Sequence, residues 1–164
     1  MLRATLRTVT LTEAIAATIS YAVVAVILMV DVIGREVFYT SFLGLQQLAV
    51  YGAIVAGFLG LTLAASDNAH LRPALLDRLT PPRLEQLVQR LGDVVSAAFF
   101  FSGAWICWSF VAHSMDSGDR APVLYFLLWP LQLVIPYAFA SAGLKHLIFA
   151  ADPALKPAAS ETMG

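Results

Sequence analysis

The chain offers little to do chemistry with: three histidines, one cysteine and 21 charged residues in 164. His70, His113 and His146 could ligate haem if two imidazoles met at one depth of a helical bundle. His113 falls near one end of the apolar stretches, whereas His70 and His146 fall near the other, both close to water. No cofactor is therefore expected. Cys107 is the only cysteine, so neither an intramolecular disulfide nor a thiolate metal cluster can form. No zinc, phosphate-loop or nucleophile pattern is present, and the chain is not expected to be an enzyme.

Asp31 and Arg35 stand four residues apart with the acid first, the favoured order for an ion pair on one helix face. Together with Glu36, and with Asp116, Asp119 and Arg120 of a second loop, they form a candidate set of contacts for a partner protein at one membrane surface. An ion pair that merely ends a helix, beside a solvated loop, is the plainer reading. Deeper positions hold only neutral groups such as Thr18, Ser20, Tyr21, Thr62, Ser102, Ser109 and Gln132. These are expected to satisfy one another between helices. Carriers of ions keep an acid, a base or a broken helix near mid-membrane. Pro130 and Pro136 interrupt the last apolar stretch, and a kink is expected there rather than an unwound binding segment.

The elements that must position these residues are four apolar runs. A hydrocarbon layer about 30 Å thick takes roughly 20 helical residues to cross. Spans are expected at about residues 11–33, 45–65, 94–112 and 123–142, with Glu13 and Asp31 at the two head-group levels of the first. The whole chain is 59% hydrophobic and 13% charged, against about 25% charged in an ordinary soluble domain. The fold class expected is an all-α membrane protein of four transmembrane helices. Residues 1–150 would form the membrane domain and residues 151–164 a disordered tail.

Eight of the ten basic residues (Arg3, Arg7, Arg72, Arg78, Arg83, Arg90, Lys145 and Lys156) fall in the N-terminal segment, the middle connection and the C-terminal segment. Four spans place those three segments on one side, with Arg35 and Arg120 on the other. The positive-inside rule puts the eight in the cytoplasm, with both termini. No small-residue cleavage site follows the first run, which is expected to stay attached.

In the middle connection, Leu84, Leu87, Val88 and Leu91 recur at one-face spacing after Pro81 and Pro82. They predict an amphipathic helix that lies on the cytoplasmic leaflet or runs into the third span. His70, Arg72, Arg83 and Arg90 are the candidate interface on that side. In the second span, Gly52, Ala56, Gly60 and Ala64 recur every four residues, a face on which another helix can dock closely, inside this bundle or on another subunit. Ala49, Ala53 and Gly57 form a neighbouring row.

Several segments resemble the small, Q-type membrane subunit of tripartite ATP-independent periplasmic (TRAP) transporters. They are Asp31-Val-Ile-Gly-Arg35-Glu-Val-Phe38, the run from Leu48 to Ala65 with Gly60, His70-Leu-Arg72, and Pro122, Trp129 and Pro136. The likeness extends from about Glu13 to Ala150. Gln46 and Gln47 stand where that family often carries acids, and Pro73 and Ala74 where it often carries a hydrophobic residue and an acid.

The resemblance implies a bacterial inner-membrane scaffold subunit for uptake of organic acids. Its partners would be a large membrane subunit holding the substrate and sodium sites, a periplasmic solute-binding protein and membrane lipids, with no nucleic acid. An autonomous homodimeric carrier and a haem-bearing electron-transfer subunit are the alternatives.

Overall fold

The computed structural model describes residues 2–40, 44–66, 85–152 and 155, and they are helical apart from short connections. The helices are α1 (Leu2–Phe38), α2 (Leu45–Ser66), α3 (Glu85–Ser117), α4 (Trp129–Gln132) and α5 (Val134–Ala151). Four stretches are long and apolar enough to cross a membrane: Thr5–Phe38, Leu45–Ser66, Leu87–Ser117 and Trp129–Ala151, the last comprising α4 and α5.

α1 and α2 form one antiparallel hairpin, α3 and α5 another, and α2 packs on α5 to join the two. The first register is set by Thr10 against Ser66 and by Val24 over Gly52. Asp93 against His146 and Phe139 over Gly103 set the second. Lipid supplies no hydrophobic drive between helices, so contact surfaces favour small residues that let backbones approach. Ala49, Ala56, Ala65, Ala97, Ala138 and Ala142 are accordingly buried. Where the hairpins meet, Ala65, Phe100 and Ala142 form a small core with Leu61 and Phe139 against it. Large apolar side chains such as Ile19, Val26, Trp105 and Ile106 point outward from the flanking helices α1 and α3.

The helix ends differ from the sequence expectation in three places. α1 has 37 residues, well beyond the expected 11–33 at both ends. α3 starts at Glu85 and not at 94, ends at Ser117 and not at 112, and runs without a break through Gly92, the second of the two arrangements expected for the stretch before the third span. The last span starts at Trp129 and not at 123, and ends at Ala151 and not at 142.

Pro122 explains the third shift. It fixes its own φ and turns the preceding residue away from helix. Residues 119–128 instead make a tight loop in which Ala121 N–H donates to Phe126 O, Leu128 N–H donates to Asp119 O, and Arg120 bridges Leu127. Val123 and Tyr125 both adopt positive φ there. Helix resumes at Trp129-Pro130, where a proline loses no intrahelical bond. Pro136 has no N–H for the Gln132 carbonyl, and the ladder is interrupted at the single residue Leu133, which keeps right-handed helical angles.

Candidate functional site

Lys145 and His146 are consecutive on α5, and consecutive helical residues point about 100° apart. One therefore faces the first hairpin and the other faces α3. Lys145 donates to Glu13 Oε2 at 2.5 Å and to the Thr62 carbonyl at 2.8 Å. The second contact sets a positive charge on the carboxyl end of α2, where the helix dipole favours it. Glu13 Oε1 accepts from Ser141 at 2.6 Å and from Tyr137 at 3.1 Å. Three donors to the carboxylate and two acceptors for the ammonium, drawn from three helices, offset much of the hydration the pair has lost. On the other side, His146 Nδ1 lies 3.5 Å from Asp93 Oδ1. Its ring stacks on Phe100 at 5.5 Å and meets Phe149 edge-on.

All four spans thus contribute to one buried polar layer: Glu13 from α1, Thr62 from α2, Asp93 from α3, and Lys145 and His146 from α5. The layer lies toward one end of the bundle. Eighteen residues separate Glu13 from Asp31, about 27 Å of helix, which is close to one hydrocarbon thickness. What the sequence reading missed is that both are 2% exposed, enclosed by protein rather than by head groups. The only sequence signal was a charged residue on the inner side of each helix end, and partners so distant in sequence leave no local spacing.

The expected pair forms at the opposite end, where Arg35 donates to Asp31 Oδ2 at 2.6 Å. Asp31 is buried, so it can meet a partner protein only through Arg35, whose side chain is 45% exposed. Glu36, Asp116, Asp119 and Arg120 are all exposed. Both connections of this end touch: a Cβ on Gly44 would lie 2.8 Å from Leu124, and Tyr51 meets Phe126 edge-on. The two groups of charged residues therefore share one end of the bundle.

The small-residue row of α2 divides. Gly52 and Ala56 face inward, with a Cβ on Gly52 reaching 2.6 Å from Val24 and Ala56 fully buried. Gly60 opens onto space with no atom within 4 Å of an added Cβ, and Ala64 is half-buried. In the neighbouring row Ala49 is buried, whereas Ala53 and Gly57 are exposed. Arg90 is exposed; His70, Arg72 and Arg83 lie outside the described residues.

The hydroxyls at depth do not pair between helices as expected. Thr18, Ser102 and Ser109 each donate to the carbonyl four residues back, and Thr62 to the one three back, because that acceptor is always within reach on a hydroxyl's own helix. Among the described residues no three His, Cys, Asp or Glu side chains gather as a metal ion would require. An apolar groove of about 510 Å³ runs between α3 and α5, lined by Phe101, Trp105, Trp108, Leu133, Pro136 and Tyr137.

The family model for tripartite ATP-independent periplasmic transporters, DctQ component, matches residues 24–154. No curated protein and no solved structure gives a significant match. The match covers most of the chain, and with its four apolar spans this is a multi-pass membrane protein that belongs to the DctQ family, the small membrane component of TRAP transporters.

Proposed function

We propose that the chain is a non-catalytic scaffold subunit of a TRAP-type secondary uptake system for organic acids. It pairs with a large membrane subunit that binds substrate and sodium, and works with a periplasmic solute-binding protein. The observation that carries this reading is that, among the described residues, each buried charge has a partner within the chain: Glu13 with Lys145, Asp31 with Arg35, and Asp93 beside His146. A carrier needs a charge that can exchange its partner for the passing ion or solute. Residues 14–30 of α1 and all of α2 carry none.

The excess of basic residues in the N-terminal, middle and C-terminal segments supports an orientation with both termini in the cytoplasm of a bacterial inner membrane. The Arg35 and Asp116 to Arg120 end then faces the periplasm, where the binding protein docks. The open Gly60 and Ala64 part of α2 and the groove between α3 and α5 are surfaces for the large subunit.

Copurification in mild detergent tests the assignment. The chain is expected to bring down the large membrane protein encoded beside it, and liposomes holding both, with the binding protein added, are expected to accumulate solute while liposomes with this chain alone do not. Accumulation by this chain alone would establish the autonomous carrier instead.

A further inference from the structure

A second opening of about 380 Å³ lies between the first turns of α1 and the ends of α2 and α5, just outside the polar layer. Its polar lining is Arg7, Thr10, Ser66 and Lys145, and its apolar lining includes Leu11 and Phe149. The site is positively charged. Glu13, the acid paired with Lys145, is already covered by Lys145, Ser141 and Tyr137. An ammonium carries three N–H donors. Two of those on Lys145 go to Glu13 and to the Thr62 carbonyl, and the third has no acceptor among the described residues although Lys145 is 2% exposed. Arg7 is exposed and has no acidic partner among the described residues.

Arg7 precedes Glu13 by six residues, about 9 Å along the helix axis. It therefore stands at head-group depth when Glu13 stands at the edge of the hydrocarbon. Ser66 donates its one hydroxyl proton to the Thr62 carbonyl at 3.0 Å, so Thr10, 3.2 Å from Ser66, is the hydroxyl that can turn a proton toward a bound oxygen. Leu11, 59% exposed, and the Phe149 ring continue the opening toward the hydrocarbon side. Cations above an apolar slot match a molecule with an anionic head and a hydrocarbon tail, and a soluble phosphate would have no use for the slot.

We propose that this opening holds the phosphate of an anionic phospholipid from the leaflet on the N-terminal side, gripped by Arg7 and the remaining N–H of Lys145, with an acyl chain along Leu11 and Phe149. The inference rests on the membrane-spanning reading and not on the pairing with a large subunit. Leu6, Arg7, Thr10 and Leu11 also precede the residues that the family model matches.

The test is native mass spectrometry of the detergent-purified full chain with phosphatidylglycerol or phosphatidylcholine added. One phosphatidylglycerol is expected to be retained in preference to phosphatidylcholine. Arg7→Gln, an exposed position that leaves the Glu13–Lys145 pair intact, is expected to reduce that retention about five-fold, the attraction of one basic residue for an anionic surface. Arg90→Gln, an exposed base outside the opening, is expected to leave retention unchanged. Equal retention of the two lipids, or equal effects of the two substitutions, would overturn the proposal. Displacement of the lipid by glycerol 3-phosphate at similar concentration would show that a soluble phosphate is the ligand.

Discussion

Lys145 Nζ donates to Glu13 Oε2 across 2.5 Å although 132 residues separate them, and each side chain is 2% exposed. Removing one partner strands the other as a buried charge, which typically costs about 3–5 kcal/mol. Glu13→Ala and Lys145→Met are each expected to lower stability by that order in detergent unfolding. The double variant Glu13→Leu/Lys145→Met is expected to recover most of the loss. Losses that simply add would show that the two side chains do not depend on each other.

Gly103 and Gly60 should respond oppositely to enlargement. An added Cβ on Gly103 would lie 2.6 Å from the Phe139 ring, whereas one on Gly60 meets nothing within 4 Å. Gly103→Leu is expected to destabilise the purified chain by about 1–3 kcal/mol or more through overpacking. Gly60→Leu is expected to leave the isolated chain unchanged and to reduce recovery of the large subunit in copurification. Undiminished recovery would mean that Gly60 faces lipid.

Arg35 presents the buried Asp31 to the surface, so reversing its sign changes what a docking protein meets. Arg35→Glu is expected to leave membrane insertion intact and to raise the concentration of binding protein needed for half-maximal uptake by roughly two- to five-fold, as the loss of an exposed ion pair would. Unchanged uptake at limiting binding protein would assign the pair to helix termination alone.

Cys107 is the only cysteine, so a Cys107→Ala chain gives a clean background for topology. Thr40 and Ala151 are both exposed and lie at opposite ends of the bundle. In intact spheroplasts a membrane-impermeant maleimide is expected to label Thr40→Cys, and to reach Ala151→Cys only after permeabilisation. The reverse pattern would place the termini outside the cytoplasm.

What the sequence made legible is what depends on neighbours along the chain. The apolar runs mark four spans, and the Asp31–Arg35 pair follows from four-residue spacing alone. Hydrophobicity could not place the start of the last span, because Val123 to Leu128 is as apolar as the helix that follows. Backbone chemistry around Pro122, with positive φ at Val123 and Tyr125, decides that boundary. Glu13, Asp93, Lys145 and His146 read singly as residues that end spans in water, since their partners come from other helices. The small-residue row of α2 predicted close approach but not that Gly52 and Ala56 would face inward while Gly60 opens onto space.

The belt of groups that ties every span together at one level also restricts movement. If α1, α3 or α5 slid along its neighbours by one turn, about 5.4 Å, it would carry Glu13, Asp93 or Lys145 out of reach of its partner. Piston strokes are thereby forbidden, and the bundle can tilt or drift only as a single piece. In the proposed complex such an object would be a fixed bearing, against which a mobile neighbour could travel without dragging its support along.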